Sequence, residues 1–86
     1  MAMRIRKLSW AGIECQTERF RLLLDPLENV EPLRSFVGEP HDPILHIEAG
    51  GAAHALVTHR HPDHFDPATL RRVVRPTGVV FCPRHC

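Results

Sequence analysis

Little in this chain of 86 residues commits it to a membrane, to nucleic acid or to an oxidising compartment. No stretch reaches the roughly 18 apolar residues that a membrane helix needs. The basic N-terminus, Met1-Ala2-Met3-Arg4-Ile5-Arg6-Lys7, lacks the apolar run of a signal peptide, because Ser9-Trp10-Ala11-Gly12-Ile13-Glu14 follows it. Charge is balanced, 11 Lys and Arg against 10 Asp and Glu, and a net charge of +1 draws in neither a polyanion nor an anionic bilayer. Arg71, Arg72 and Arg75 belong to no wider basic surface, so nucleic acid is not an expected partner. Three cysteines, Cys15, Cys82 and Cys86, cannot all pair within one molecule, and reduced thiols in the cytoplasm are the expectation. There is no internal repeat and no low-complexity segment. With 43% hydrophobic and 24% charged residues the composition is globular. A chain this short is at most one small domain with a thin core.

What is present reads as alternating structure. From Met3 to Asp25 the pattern is β: Ile13 and Cys15 alternate with Glu14 and Gln16, Thr17-Glu18-Arg19 offers a turn, and Phe20, Leu22 and Leu24 resume period 2. Asp25-Pro26 stops that hairpin. Pro26 to Ala52 is irregular, with one helical turn around Glu31 to Phe36, and is either the wall of a binding site or an insertion without consequence. Ala55-Leu56-Val57 reads as a strand buried on both faces. Asp66 is a good N-cap with Pro67 at the first helical position, and Leu70, Val73 and Val74 fall at helical spacing until Pro76-Thr77-Gly78. Val79-Val80-Phe81-Cys82 is then a second buried strand, completing a β-loop-α-β unit with parallel strands.

The chemistry is concentrated in Thr58-His59-Arg60-His61-Pro62-Asp63-His64-Phe65-Asp66, where three imidazoles and two carboxylates occupy the eight positions from His59 to Asp66. The segment follows a buried strand, at the carboxyl edge where open α/β sheets form their ligand sites. In extended backbone, residues two apart project to one side, so His59 and His61 can reach one cation together. Pro62 then turns the chain and presents Asp63 and His64 to a second. Imidazole with carboxylate and no thiolate suits a catalytic Zn²⁺, Mn²⁺ or Fe site. Two such ions hold a bridging hydroxide near neutral pH, and Asp63 would orient or deprotonate the nucleophilic water.

This segment resembles the His-x-His-x-Asp-His signature of the metallo-β-lactamase fold. Ile5 to Leu27, with Trp10-Ala11-Gly12-Ile13-Glu14 and Leu22-Leu23-Leu24-Asp25-Pro26-Leu27, is similar to that fold's opening strands. The nearest flavour is a branch of small hydrolases resembling ascorbate-phosphate lactonases, although Trp10-Ala11-Gly12 stands where that branch often has Gly-His-Ala. The resemblance implies an α/β fold, with residues 1–86 the N-terminal half of an αββα sandwich truncated at its C-terminus. It implies a metal-dependent hydrolase of a small phosphoester, lactone or related electrophile, with two Zn²⁺ per complete site. His59 and His61 would hold the first ion, Asp63 and His64 the second, and Asp25 would support them by hydrogen bonding. The remaining ligands of that family fall on later strands, so the isolated chain is expected to be inactive.

Two other functions stay open: a small non-catalytic metal-binding module, and a truncated remnant. Cys82-Pro83-Arg84-His85-Cys86 could supply thiolates and an imidazole to a structural zinc, but reads more simply as a buried cysteine ending a strand. His41, His46 and His54 read as solvated loop residues, and Trp10 as core or cleft wall.

Overall fold

The computed structural model describes residues 2–48 and 51–84. Its frame is one five-stranded sheet of β1 (Arg4–Lys7), β2 (Ile13–Gln16), β3 (Arg21–Leu24), β4 (Ala52–Leu56) and β5 (Val74–Phe81), neighbours in that order. β1, β2 and β3 are antiparallel, whereas β3, β4 and β5 are parallel. Between β3 and β4 a 3₁₀ turn (Glu31–Leu33) runs into the four-residue helix α1 (Arg34–Val37), and α2 (Pro67–Val73) makes the crossover from β4 to β5. None of the described helices is long and apolar enough to cross a membrane.

Among the described residues, only one face of the sheet is covered. Glu14, Leu23 and Ala55 are opposite one another on that face, and all three are buried. Leu8 and Ile47 from the loops and Leu70 and Val73 from α2 close over Leu23, Ala55 and Val57 to make the core. On the other face two rows run across all five strands: Ile5, Cys15, Leu22, His54 and Val79, then Lys7, Ile13, Leu24, Leu56 and Phe81. None of those ten residues is buried.

This architecture corrects the expectation of half an αββα sandwich: the described residues form a single mixed sheet with two short α-helices. It also corrects four local readings. Ala55 and Val57 are buried but Leu56 between them is not, so β4 is covered on one side only. Val79 and Phe81, on the open face, are 46% and 52% exposed, and Val80, beside Ala55 on the covered face, is still 37% exposed because β5 is an edge strand. β5 begins directly after α2, at Val74, and passes through Pro76, which an edge strand tolerates where a central one would lose a ladder bond. In the hairpin it is Glu14 that points inward and Ile13 and Cys15 that do not. Its charge is met there by Arg6, at 3.1 Å, and Arg21, at 3.4 Å.

The start of α2 is tied to the loop after β3. Asp66 accepts from Thr69 N–H at 3.2 Å as an N-cap, from the Thr69 hydroxyl at 2.6 Å, and from the backbone N–H groups of Glu28 at 3.0 Å and Asn29 at 2.9 Å. Burial pushes its carboxyl pKa up, but these bonds, Thr69 foremost, outweigh it and hold the group below the ordinary 3.8. A depressed folded-state pKa adds stability that is complete above the unfolded value and drains away as pH falls through the folded one. Asp66→Asn keeps a capping oxygen but removes that linkage. The variant should therefore show a shallower acid limb in urea midpoints measured across pH 7 to 2.

The one-sided core gives a second expectation. Leu23→Ala, which empties a fully buried site, should cost about 3 kcal/mol, whereas Leu24→Ala on the open face should cost about 1 kcal/mol or less, both read from urea unfolding.

Candidate metal centre

Because β3 and β4 are parallel, their carboxyl ends meet at one edge, bringing Asp25 beside Thr58. Asp25 takes a left-handed conformation, φ 45°, while its N–H still donates to Leu56 O at 2.9 Å. Aspartate is one of the few residues that tolerate this backbone. Its carboxylate then accepts from Thr58 N–H at 2.7 Å, from the Thr58 hydroxyl at 2.7 Å and from His64 Nδ1 at 2.7 Å. Burial raises the Asp25 pKa, but the bond from His64 and then those from Thr58 overcome it, and the carboxyl titrates below its usual range.

This network sets the imidazole tautomers. With the Nδ1 proton of His64 given to Asp25, Nε2 keeps its lone pair. The single proton of the Thr58 hydroxyl also goes to Asp25, so towards His59 Nδ1, 3.2 Å away, that oxygen accepts. His59 Nε2 is thereby left free as well.

One tight turn makes the two rings converge. The N–H groups of His64 and Phe65 both donate to His61 O at 2.9 Å, with Pro62 inside the turn. The ring centroids of His59 and His64 come to 3.9 Å, and Asp63 Oδ2 lies 3.4 Å from His64 Nε2. One donor atom each from His59, Asp63 and His64 falls within 4.8 Å of the others. Two donors bound to one ion at about 2.1 Å stand no more than about 4.2 Å apart, so a small closure suffices for the three to share a cation.

Asp63 Oδ2 has a second partner in Trp10. Trp10, at φ 59°, is a bulky residue in left-handed backbone; its carbonyl accepts from the Lys7 ammonium and its indole N–H donates to Asp63 Oδ2 at 3.3 Å. Trp10 lines a cleft of about 280 Å³ with Val30, Leu33, Val37, Pro40 and His41, which makes it a wall of that cleft.

Of the residues expected from the sequence, the structure joins His59, Asp63 and His64 in one group and places Asp25 against His64. This cuts across the expected division into two pairs. His61 is exposed, its ring 4.9 Å from that of His59, and it lies outside the group. Sequence reasoning missed Thr58, whose position directly before His59 at the end of a strand was the available signal. It also missed the Trp10 indole, for which no local signal exists. His41 and His46 are exposed, while His54 packs edge-on against Phe81 and accepts from Val79 N–H at 3.2 Å. Cys82 is exposed and a free thiol, which corrects its reading as buried; His85 and Cys86 lie outside the described residues.

No protein-family model matches the chain, and no solved structure matches it. It is similar to curated proteins named as Rieske 2Fe-2S iron-sulfur proteins. One from Mycolicibacterium smegmatis is 33% identical over 84 residues, 96% of this chain and 16% of the relative. Two from strains of Mycobacterium tuberculosis are 34% identical over 82 residues, 94% of this chain and again 16% of the relative. The chain thus spans about one sixth of the length of the relatives it matches. These names overturn the reading of the chain as part of a metallo-β-lactamase-fold hydrolase with two Zn²⁺ ions. The relatives' names point to iron and sulfur, and none is a hydrolase's.

Asp25 orients His64 and fixes its tautomer, and an orienting partner of this kind is worth about 10- to 100-fold in metal affinity. Asp25→Asn, which keeps the left-handed backbone accessible, should weaken Co²⁺ binding within that range at unchanged stoichiometry, as read by isothermal titration calorimetry.

Proposed function

We propose that the chain is a non-catalytic metal-binding module holding one divalent cation through His59 Nε2, the Asp63 carboxylate and His64 Nε2. The observation that carries this reading is that one donor atom from each of His59, Asp63 and His64 falls within 4.8 Å of the others, while Nδ1 of His64 meets Asp25 and Nδ1 of His59 meets Thr58. A nitrogen and oxygen donor set without thiolate suits a borderline divalent ion. The loop from His59 to Asp66 lies between β4 and α2, so an ion there would pin the crossover to the ends of β3 and β4. Its effect would be on the folded state, by mass action: at 100 times its dissociation constant a ligand adds about 2.7 kcal/mol. Free thiols at Cys15 and Cys82 support a reducing, cytoplasmic setting.

Co²⁺ is the probe that tests this. The chain should bind one Co²⁺ with a rise in melting temperature and a change in fluorescence of Trp10, the only tryptophan in the sequence. His64→Ala and His59→Ala should each abolish saturable binding, whereas His61→Ala should leave the stoichiometry unchanged. Binding that survives both His59→Ala and His64→Ala would overturn the assignment.

A further inference from the structure

The names of the relatives imply a [2Fe-2S] cluster, and the described residues can be tested against its needs. A Rieske centre takes two cysteine thiolates on one iron and two histidines on the other. Two thiolates on one tetrahedral ion, each about 2.3 Å from it, sit within about 4 Å of each other. The two described cysteines cannot meet that condition. Cys15 lies in the middle of β2 and Cys82 follows the end of β5, and those strands are three strand spacings apart in the sheet, about 14 Å.

The histidines do not fit either. His59 and His64 converge on a carboxylate, and the only group of three or more donors among the described residues contains no cysteine. His54 is engaged by Phe81 and Val79, and His41 and His46 are exposed on the long loop, His46 beside Glu28. Cys82 is the one described thiol beyond the carboxyl ends of the parallel strands, and a single thiolate is half of the sulfur ligation required.

We infer that the described residues of this chain hold no [2Fe-2S] cluster. The cluster named in the relatives is carried by polypeptide outside the part of the shared segment that corresponds to residues 2–48 and 51–84, and that part supplies a separate, sulfur-free cation site. The last clause rests on the proposed cation reading; the first two stand without it. In the relatives the shared segment is 16% of the length, so ample chain remains to house a cluster domain.

Two experiments test this. The purified chain and its Cys82→Ser variant are incubated anaerobically with ferrous iron and sulfide, desalted, and examined by visible absorption and by electron paramagnetic resonance after dithionite reduction. No iron and sulfide should co-elute with either protein, and no Rieske-type signal should appear. A stoichiometric cluster on the chain, lost in Cys82→Ser, would overturn the inference. Secondly, the cluster-loaded, full-length M. smegmatis relative is cut by limited proteolysis, and the coloured fragment is identified by native mass spectrometry. The cluster should travel with a fragment lacking the shared segment; its retention on a fragment made of that segment would contradict the inference. Absence of Co²⁺ binding in a chain that also forms no cluster would defeat the cation reading while leaving the cluster assignment intact.

Discussion

The carboxylate of Asp25 is the point on which the rest of the structure depends. It is buried, it ends β3, and it gathers three donors from two other places in the chain: both polar groups of Thr58 at the end of β4, and Nδ1 of His64 in the turn before α2. A buried anion is costly unless hydrogen bonds replace its water. Here every replacement comes from the segment that carries His59, Asp63 and His64. Satisfying Asp25 and orienting His59 and His64 are therefore one event. The parallel pairing of β3 with β4 makes this possible, because only parallel neighbours bring their carboxyl ends to the same edge.

A second set of polar contacts steadies the other end of the same loop. Asp66 caps α2 and at the same time receives the backbone of Glu28 and Asn29. Glu28 in turn pairs with Arg72 on α2 and accepts from Ile47 N–H at 2.6 Å. The long connection between β3 and β4 is thus fastened to α2 by polar groups and to the sheet by Ile47, which is fully buried in the core. The histidine loop sits between two fixed points, Asp25 and Asp66. That explains how a core built on a single face of the sheet can hold donor atoms in register.

Much of this was legible in the residues, for identifiable reasons. Hairpin, long connection and strand-helix-strand order follow from local patterns: Thr17-Glu18-Arg19 as a turn, Pro26 as a stop, and Asp66-Pro67 as a helix start. That His59, His61, Asp63 and His64 form one chemical cluster was legible from their spacing, but their grouping was not: alternation paired His59 with His61, whereas the turn at Pro62 brings His59 to His64 and Asp63 and leaves His61 outside. Which face of the sheet is covered was not legible. Ile13, Cys15, Leu22 and Leu24 alternate as a core face should, yet the packing of α2 and Ile47 chose the opposite face and buried Glu14 with Arg6 and Arg21. Exposure of β5 could not be read from Val79-Val80-Phe81 either, because an apolar strand looks the same whether or not a second layer meets it. The resemblance to a hydrolase family rested on the loop motif, and a shared ligand pattern does not fix what a protein does.

The central claim is that the metal-binding capacity of this chain resides in nitrogen and oxygen donors set by Asp25, and not in sulfur. X-ray absorption at the cobalt K-edge of the Co²⁺-loaded chain addresses it most directly. The account requires a first shell of nitrogen and oxygen scatterers at about 2.0 to 2.2 Å, with the outer-shell features of two imidazoles and no sulfur. A sulfur shell near about 2.3 Å would contradict it, because the ion would then be held by cysteine and the arrangement around Asp25 would serve the fold alone.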